Sequence, residues 1–554
     1  MEKIWLKNYP AGRPAEINPD EFSSLVELMQ SCCSKYGDAA AFTNMGKSIS
    51  YQQLEPLTRD FAAWLQDVAH LKRGDRIALM MPNLMQYPIA MLGAMRAGLT
   101  IVNTNPLYTA HELQHQMQDS GAVAIVILEN FAHVLQDIIT TTAIKTVIVT
   151  SVGDMLSFPK KSIVNFVLRH VRKQVPAYDL PRAIQFNTAL RSGRFLRLEE
   201  ALLTHDDVAF LQYTGGTTGV AKAAVLTQRN MVANCLQASS CIGMWSLRGE
   251  TVVTALPLYH IFSLTVNCFV FMNLGAHNIL ITNPRDFPGF VKELGKYPFA
   301  AITAVNTLFN ALLHTPGFDK LNFSRLKISL GGGMAVQPSV AKQWKKTTGC
   351  IVAQGWGLTE SSPVACVTPL DADFDGSIGM PVPSTDLTVR DDEGKELPLG
   401  ESGELCLRGP QIMREYWQRP DETAKVMLPG GWLRTGDIGR MDERGFVFIE
   451  DRKKDMIMVS GFKVFPNEVE AVIADHPGIL EVAAVAQPDE RSGEVVAVFI
   501  VRKDKLLTEE QIIEHCRKEL TGYKVPKHVY FRDDLPKSNV GKILRRPLRD
   551  ELAG

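Results

Sequence analysis

Two hydrophobic periods share the chain. Residues 54–65 place apolar side chains at helical spacing, residues 76–81 form a short continuous apolar run, and residues 87–97 read as an apolar helix stopped at Gly98. Residues 99–102 and 122–128 read as further strands. This strand–helix–strand rhythm predicts parallel sheets with crossover helices. A second series follows at residues 251–256, 300–304, 326–330 and 351–354. Three of its members end in turn chemistry: Pro257-Leu-Tyr-His260, Gly331-Gly-Gly333 and Gly355-Trp-Gly357. Ligands of open α/β sheets collect where the carboxyl ends of strands meet loops, so these turns are expected to line one site.

Near Pro381 the pattern becomes β-rich, punctuated by Asp391-Asp-Glu-Gly394, Gly400-Glu-Ser-Gly403 and Asp442-Glu-Arg-Gly445. The charged run Asp451-Arg-Lys-Lys-Asp455 lies between two apolar segments and reads as a surface turn or as a domain linker. Beyond it comes a small α+β pattern: a helix at 466–475, strands near 482–486 and 495–501, and a helix at 509–520. At 554 residues the chain exceeds a single core, and two or more domains are expected.

Composition narrows the classes. Apolar residues make up 45% and charged residues 21%, as in an ordinary globular protein. A formal net charge of −1 gives no argument for nucleic acid as a partner. Nine dispersed cysteines with no Cys-x-x-Cys pair fit free thiols in a reducing cytoplasm. The N-terminus carries no secretory pattern. From Thr251 to Pro284 there is no Asp, Glu, Lys or Arg, a length sufficient to span a bilayer. Chemistry-bearing motifs lie on both sides of that stretch and must share a pocket, so it reads as buried core. Residues 160–173 read as a basic amphipathic helix, with Ile163, Phe166, Val167 and Val171 on one face. Such a helix is either an ordinary surface helix or one that lies on anionic membrane.

The densest chemistry is Tyr213-Thr-Gly-Gly-Thr-Thr-Gly-Val-Ala-Lys222, directly after the apolar run 208–212. Glycines admit an anion to backbone N–H groups, threonine hydroxyls add donors or metal ligands, and lysine adds charge. A Walker loop needs glycine before its lysine and Ser/Thr after it, whereas Ala221 and Ala223 flank Lys222. This reads as a phosphate loop of another kind, against the plainer reading of a Gly/Thr-rich turn. Glu360, just past a glycine turn, can hold Mg²⁺ beside phosphates or simply start a helix with Thr359 as cap. Asp437 in Thr435-Gly-Asp437 could accept from ribose hydroxyls, with Arg452 complementary. Lys542 follows a glycine in a polar loop and precedes Ile543-Leu544, the context of a fixed, aimed side chain. His260 reads equally as ligand or as satisfied core histidine.

Taken together, the segments 213–222, 257–260, 331–333, 355–360, 435–437, 451–455 and 541–542 resemble the adenylate-forming (AMP-binding) superfamily over nearly the whole chain. Within it, Gly431-Trp-Leu-Arg-Thr-Gly-Asp-Ile-Gly439 through Lys454, Ala255-Leu-Pro-Leu-Tyr-His-Ile-Phe262 and residues 536–546 look closest to the bacterial long-chain fatty-acid–CoA ligases. The resemblance implies an α/β fold: a large N-terminal domain (1–450) of parallel α/β sheets with a β-rich subdomain, a hinge linker (451–455) and a small mobile α+β C-terminal domain (456–554). It implies ATP, Mg²⁺ and coenzyme A, a long-chain fatty acid as substrate, and a two-step reaction through acyl-AMP. Thr214, Gly215, Gly216, Thr217, Thr218, Gly219 and Lys222 would cradle the phosphates, following Tyr213. Thr214 and Glu360 would serve Mg²⁺. Gly332, Gly333, Gln354, Gly355, Trp356, Gly357 and Thr359 would line the adenine side. Asp437 and Arg452 would hold ribose, Ile449 would complete the nucleotide pocket, and Lys542 would bridge carboxylate and α-phosphate. Lys454 would be the hinge, Gly461 would line the pantetheine path after rotation, and His260 would sit at the acyl side.

Four features depart from the family pattern: Ala223 after the loop lysine, Trp356 in place of tyrosine, Ala304 at an acyl-pocket glycine, and the pair Arg414-Glu415 before Tyr416. They put fit and chain-length range in question without removing a catalytic group. The rival readings are a medium-chain or aromatic acyl-CoA ligase and a non-catalytic, membrane-associated fatty-acid-trapping protein. The implied location is cytoplasmic, peripheral on the inner face of the cell membrane, with homodimerisation left open.

Overall fold

A computed structural model describes residues 2–214 and 221–553. The first rhythm becomes a seven-stranded sheet, in spatial order Ile184–Gln185, Thr146–Thr150, Ala124–Leu128, Arg76–Met80, Thr100–Asn103, Val208–Tyr213 and Ala223–Thr227. All its pairs are parallel except the last, where the strands either side of the Gly/Thr segment form an antiparallel pair. The second rhythm becomes a nine-stranded sheet whose parallel centre includes Thr251–Thr254, Phe299–Ala304, Ile328–Gly332 and Val352–Gly357. The predicted fold class holds: these strands are almost wholly buried on both faces, the condition under which parallel sheets read as continuous apolar runs.

The charge-free stretch is interior, as predicted. It forms a continuous helical path from Ile261 to Asn273, and every residue from Ile261 to Met272 is buried. Among the described residues no helix is long and apolar enough to cross a membrane.

A third, antiparallel sheet carries Asp386–Arg390, Gly403–Arg408, Trp432–Met441, Met427–Leu428 and Val447–Arg452. The charged run does not begin as a free linker. Asp451 and Arg452 are still on the last of these strands, and Asp451 is fully buried. Beyond it the α+β unit forms around strands Ile479–Asp489 and Gly493–Arg502, with helices Pro466–Ala474, Glu509–Glu519 and Arg545–Ala553, and its own hydrophobic cores.

Side-chain amides tie the two large sheets together where the site forms. Asn83 is buried; its Nδ2 donates to the carbonyls of Thr254 (3.0 Å) and Leu256 (2.9 Å), and its Oδ1 accepts from the Leu258 N–H (2.8 Å). Gln212 donates to the Tyr259 carbonyl at 2.9 Å and accepts from Asn103 at 2.8 Å. Held from both sides, the Pro257–His260 turn has a fixed path into the cavity.

Candidate active site

One cavity of about 810 Å³ opens at the carboxyl ends of the central strands. Thr214, Lys222, His260, Glu360, Arg452, Lys454 and Lys542 line it together with Tyr213, Gly333, Gly355, Trp356, Gly357 and Thr359. Residues more than 300 positions apart thus meet in one chamber. Lys542 arrives on a loop pinned by Thr307, whose hydroxyl donates to the Gly541 carbonyl at 2.8 Å. Gly541 has φ +83°, and a Cβ there would sit 3.0 Å from the Thr307 Oγ1, so backbone conformation and the close approach both favour glycine.

The neck of the Gly/Thr loop is closed by its own ends. Thr214 N–H donates to the Lys222 carbonyl at 2.8 Å, and the Thr214 hydroxyl donates to the same oxygen at 3.3 Å. The loop positions Gly215, Gly216, Thr217, Thr218 and Gly219 lie outside the described residues. Lys222 Nζ pairs with Glu422 and sits 5.4 Å above the Tyr416 ring. That pair and Lys425 hold the Glu422 carboxyl down at about 2. Tyr416 in turn donates its hydroxyl to Glu360 Oε1 at 2.6 Å, and burial with the Glu360 charge pushes its phenol far above the ordinary range, so it stays a donor. Backbone bonds stitch residues 414–417 onto strand Ala223–Thr227, which fixes Tyr416 beside the loop exit.

Glu360 fits a hard cation. It lines the cavity together with Thr214 and Lys222, with Oε1 held by Tyr416, and among the described residues no cluster of three or more His, Cys, Asp or Glu could hold a metal alone. A Mg²⁺ there would draw most of its ligands from phosphate and water.

A second charged group surrounds Lys542. Asp437 is buried and accepts from the Trp356 indole N–H at 2.9 Å and from Arg452 Nε at 3.0 Å. Burial, then the Arg452 charge, lower the Lys542 pKa to about 8. Lys454 is likewise lowered to about 8 by burial and Arg452. For Lys542, the more deeply buried of the two, a shift of this size corresponds to about 3 kcal/mol of destabilisation of the ammonium. Incoming phosphate and carboxylate charges would relieve it. His260 accepts from the Phe262 N–H through Nδ1 (3.4 Å), and burial with the Lys542 charge lowers it to about 4, so it is neutral near pH 7.

Five predicted positions do not line the cavity. Gly332 lies behind it on the strand. Gln354 spends its side chain on the Ser377 carbonyl (2.7 Å) and the Val336 N–H (3.1 Å), supporting the turn after Gly333. Asp437 is sealed beneath Trp356 and Arg452, and Ile449 packs on the adjoining strand. Gly461 sits on an exposed hairpin, next to Phe462, which stacks on Tyr523 at 4.9 Å. Tyr213 lines the cavity, but its hydroxyl is turned to Asp119 (2.7 Å). Of the departures, Ala223 is packed in its strand and Ala304 is buried outside the cavity lining. The sequence reading missed Tyr416 and Glu422; only the unusual Arg414-Glu415 pair beside Tyr416 drew notice to that segment.

The architecture and the site define the class. The AMP-binding enzyme family model matches residues 29–417 and the AMP-binding enzyme C-terminal domain model matches residues 468–542, and the chain belongs to this family. Among curated relatives it is similar to the long-chain-fatty-acid–CoA ligase of Escherichia coli O6:H1, 57% identical over 100% of this chain and 99% of the relative. The long-chain-fatty-acid–CoA ligase of Yersinia pestis is likewise 57% identical, over 100% and 98%. A solved structure of the anthranilate CoA ligase AuaEII with anthranoyl-AMP shares the fold at TM-score 0.86 and 21% identity, over 97% of this chain and 99% of that one.

Proposed function

We propose that this chain is an AMP-forming ligase that joins long-chain fatty acids to coenzyme A: ATP, fatty acid and CoA give AMP, diphosphate and acyl-CoA. The observation that carries the reading is one cavity with two chemistries. Lys222, Lys454, Lys542 and the hydroxyls of Thr214 and Thr359 line it together with the apolar side chains Leu256, Ile261, Phe262, Val266 and Leu330.

A carboxylate is a poor acyl donor because its leaving group would be oxide. Attack of the fatty carboxylate on the α-phosphate forms an acyl–phosphate anhydride bond and breaks the α–β bond, releasing diphosphate. Lys222 and the Thr214 neck hold the departing diphosphate, and Lys542 neutralises charge between carboxylate and α-phosphate. Glu360, with Thr214, would hold Mg²⁺, which would supply charge neutralisation at the phosphates. Lys222 must exchange Glu422 for phosphate when ATP binds. The CoA thiolate then attacks the acyl carbon and AMP leaves. Lys542 occupies the cavity here and Gly461 faces solvent, which supports an adenylation-competent arrangement. Rotation about the 451–455 segment would replace one by the other.

The helix Lys160–Phe166, continuing through Val167–Val171, exposes an apolar ridge: Ile163 57%, Phe166 60% and Val171 65%, with Phe158 at 86%. Three of its bases are engaged within the chain: Lys160 with the Met45 carbonyl, Lys161 with Asp154 and Arg169 with Glu129. The ridge rather than the charge is what we assign to an anionic membrane surface.

The ligase reading is tested by ATP–diphosphate exchange with palmitate, octanoate and coumarate, without CoA, followed by thioester formation on adding it. Palmitate-dependent exchange is expected. Absence of exchange with every acid would overturn the reading.

A further inference from the structure

Ala304 is buried outside the cavity lining, so other residues must bound the acyl end of the site. Helix Gln228–Ile242 is clamped to strand Val364–Val367. Asn234 donates to the Val364 carbonyl (2.7 Å) and accepts from the Val364 N–H (2.9 Å), and Gln237 donates to the Pro383 carbonyl (2.8 Å). One turn further on, Ala238, Cys241 and Ile242 stand at i, i+3 and i+4, one face of the helix. All three line the cavity. They belong to its apolar part, and Val364 and Val367 of the clamped strand line it with them.

The Cys241 thiol is close enough to Arg13 and Tyr9 to interact electrostatically with both. The Tyr9 hydroxyl donates to the Pro381 carbonyl, and the Arg13 guanidinium covers the Tyr9 ring at 5.2 Å. A helix held by buried amides at Asn234 and Gln237 cannot yield to a longer ligand without breaking those bonds. Ala238 and Cys241 are the two smallest side chains of this face.

We propose that Ala238, Cys241 and Ile242 form the floor of the acyl site and set the longest fatty chain it accepts. The proposal rests on the reading that the cavity holds the fatty acid with its carboxylate at Lys542, which sends the methyl end toward this helix. Chain length is then measured against a rigid helix face rather than against the strand end at Ala304.

Two variants test it in opposite directions. Cys241→Phe shortens the site and Ile242→Ala deepens it. kcat/KM for diphosphate exchange is measured with octanoate, laurate, palmitate and behenate, with thermal melting as the check on folding. Each methylene kept out of apolar surroundings forfeits about fourfold in binding. Cys241→Phe is therefore expected to lower palmitate at least tenfold relative to octanoate, with octanoate itself within about threefold of the parent chain. Ile242→Ala is expected to raise behenate relative to palmitate. An equal loss at every length, or an unchanged length profile in folded variants, would overturn the proposal. If Cys241→Phe fails to fold, Ile242→Ala decides alone. A parent chain that exchanges with no acid would instead sink the ligase reading, a different outcome.

Discussion

Tyr416 shows how one side chain can serve a site it does not react in. Its ring lies under Lys222 and its hydroxyl steers Glu360 Oε1. A hydrogen bond to a charged acceptor is worth about 1.5–3 kcal/mol. Tyr416→Phe keeps the ring and removes the bond. The half-saturating Mg²⁺ concentration should rise about tenfold, with ATP binding in EDTA little changed. Electron paramagnetic resonance of Mn²⁺ with ATP should report the same weakening without turnover. Unchanged Mn²⁺ affinity would contradict the role. Lys542 gives a second residue-level prediction. The proposed mechanism requires its ammonium for adenylation, and its pKa is lowered to about 8 by burial. kcat/KM for adenylation, which reports the free enzyme, should fall as pH rises through about 8. The limb should persist in Lys454→Gln; a profile flat to pH 10 in both would contradict it. Folded Lys542 binds fewer protons than unfolded Lys542 between pH 8 and the ordinary lysine range, so its contribution to stability rises with pH across that window. Lys542, Lys222, Glu360 and His260 were legible in the sequence because their loops carry glycine, proline or hydroxyl punctuation at strand ends. Tyr416 was not: an aromatic in an irregular segment has no local signature, and its partners lie 56 and 194 positions away.

At the level of elements, the charged run 451–455 divides its allegiance. Lys453 N–H donates to the Gly436 carbonyl (3.0 Å) and its Nζ pairs with Asp392, both in the antiparallel sheet. The Lys454 carbonyl accepts from Arg549, and Asp455 lies near Arg545 and Arg549 of the terminal helix. The main-chain partners change between Lys453 and Lys454, while the Asp451 side chain already reaches across to the small unit. Arg545 is the clasp on the C-terminal side. It donates to Asp451 (2.8 Å), to both Glu470 oxygens (2.9 and 2.8 Å) and to Asn467 (2.5 Å). Removing one member of a buried charged group typically costs about 3–5 kcal/mol. Arg545→Met should therefore lower the unfolding free energy of the C-terminal unit by about that amount in urea, and Arg545→Met with Glu470→Met should recover part of it. No recovery would mean that the clasp is not electrostatic. The sequence announced a boundary at 451–455 through its charge density. It could not show that Asp451 is buried, because Arg545 and Glu470 come from far along the chain.

Beyond the Asp451 cluster, where Arg545 and the Asn467 N–H both donate at 2.8 Å, and the Asn467 bond to the Glu450 carbonyl (3.2 Å), the large body meets the small one through single polar contacts: Thr307 to Gly541, Asn310 to the Leu480 carbonyl (3.1 Å), Ser339 to the Ala474 carbonyl (3.5 Å) and His314 with Lys503 (3.3 Å). An interface of this kind suits a domain that must leave and return. The exposed ridge at Ile163, Phe166 and Val171 belongs to this scale as well. Replacing Ile163 and Phe166 by Glu should reduce sedimentation with vesicles of phosphatidylglycerol several-fold while leaving diphosphate exchange intact; unchanged sedimentation would return the helix to an ordinary surface element.

In the proposed reaction Lys542, carried on the small domain, serves the first half-reaction only. The direct measurement is the two half-reactions of Lys542→Ala, assayed separately. ATP–diphosphate exchange with palmitate should fall by at least a thousandfold, or about 4 kcal/mol of barrier. Acyl-CoA formation from supplied palmitoyl-AMP and CoA should stay within about threefold of the parent chain. Equal loss of both half-reactions would contradict the account.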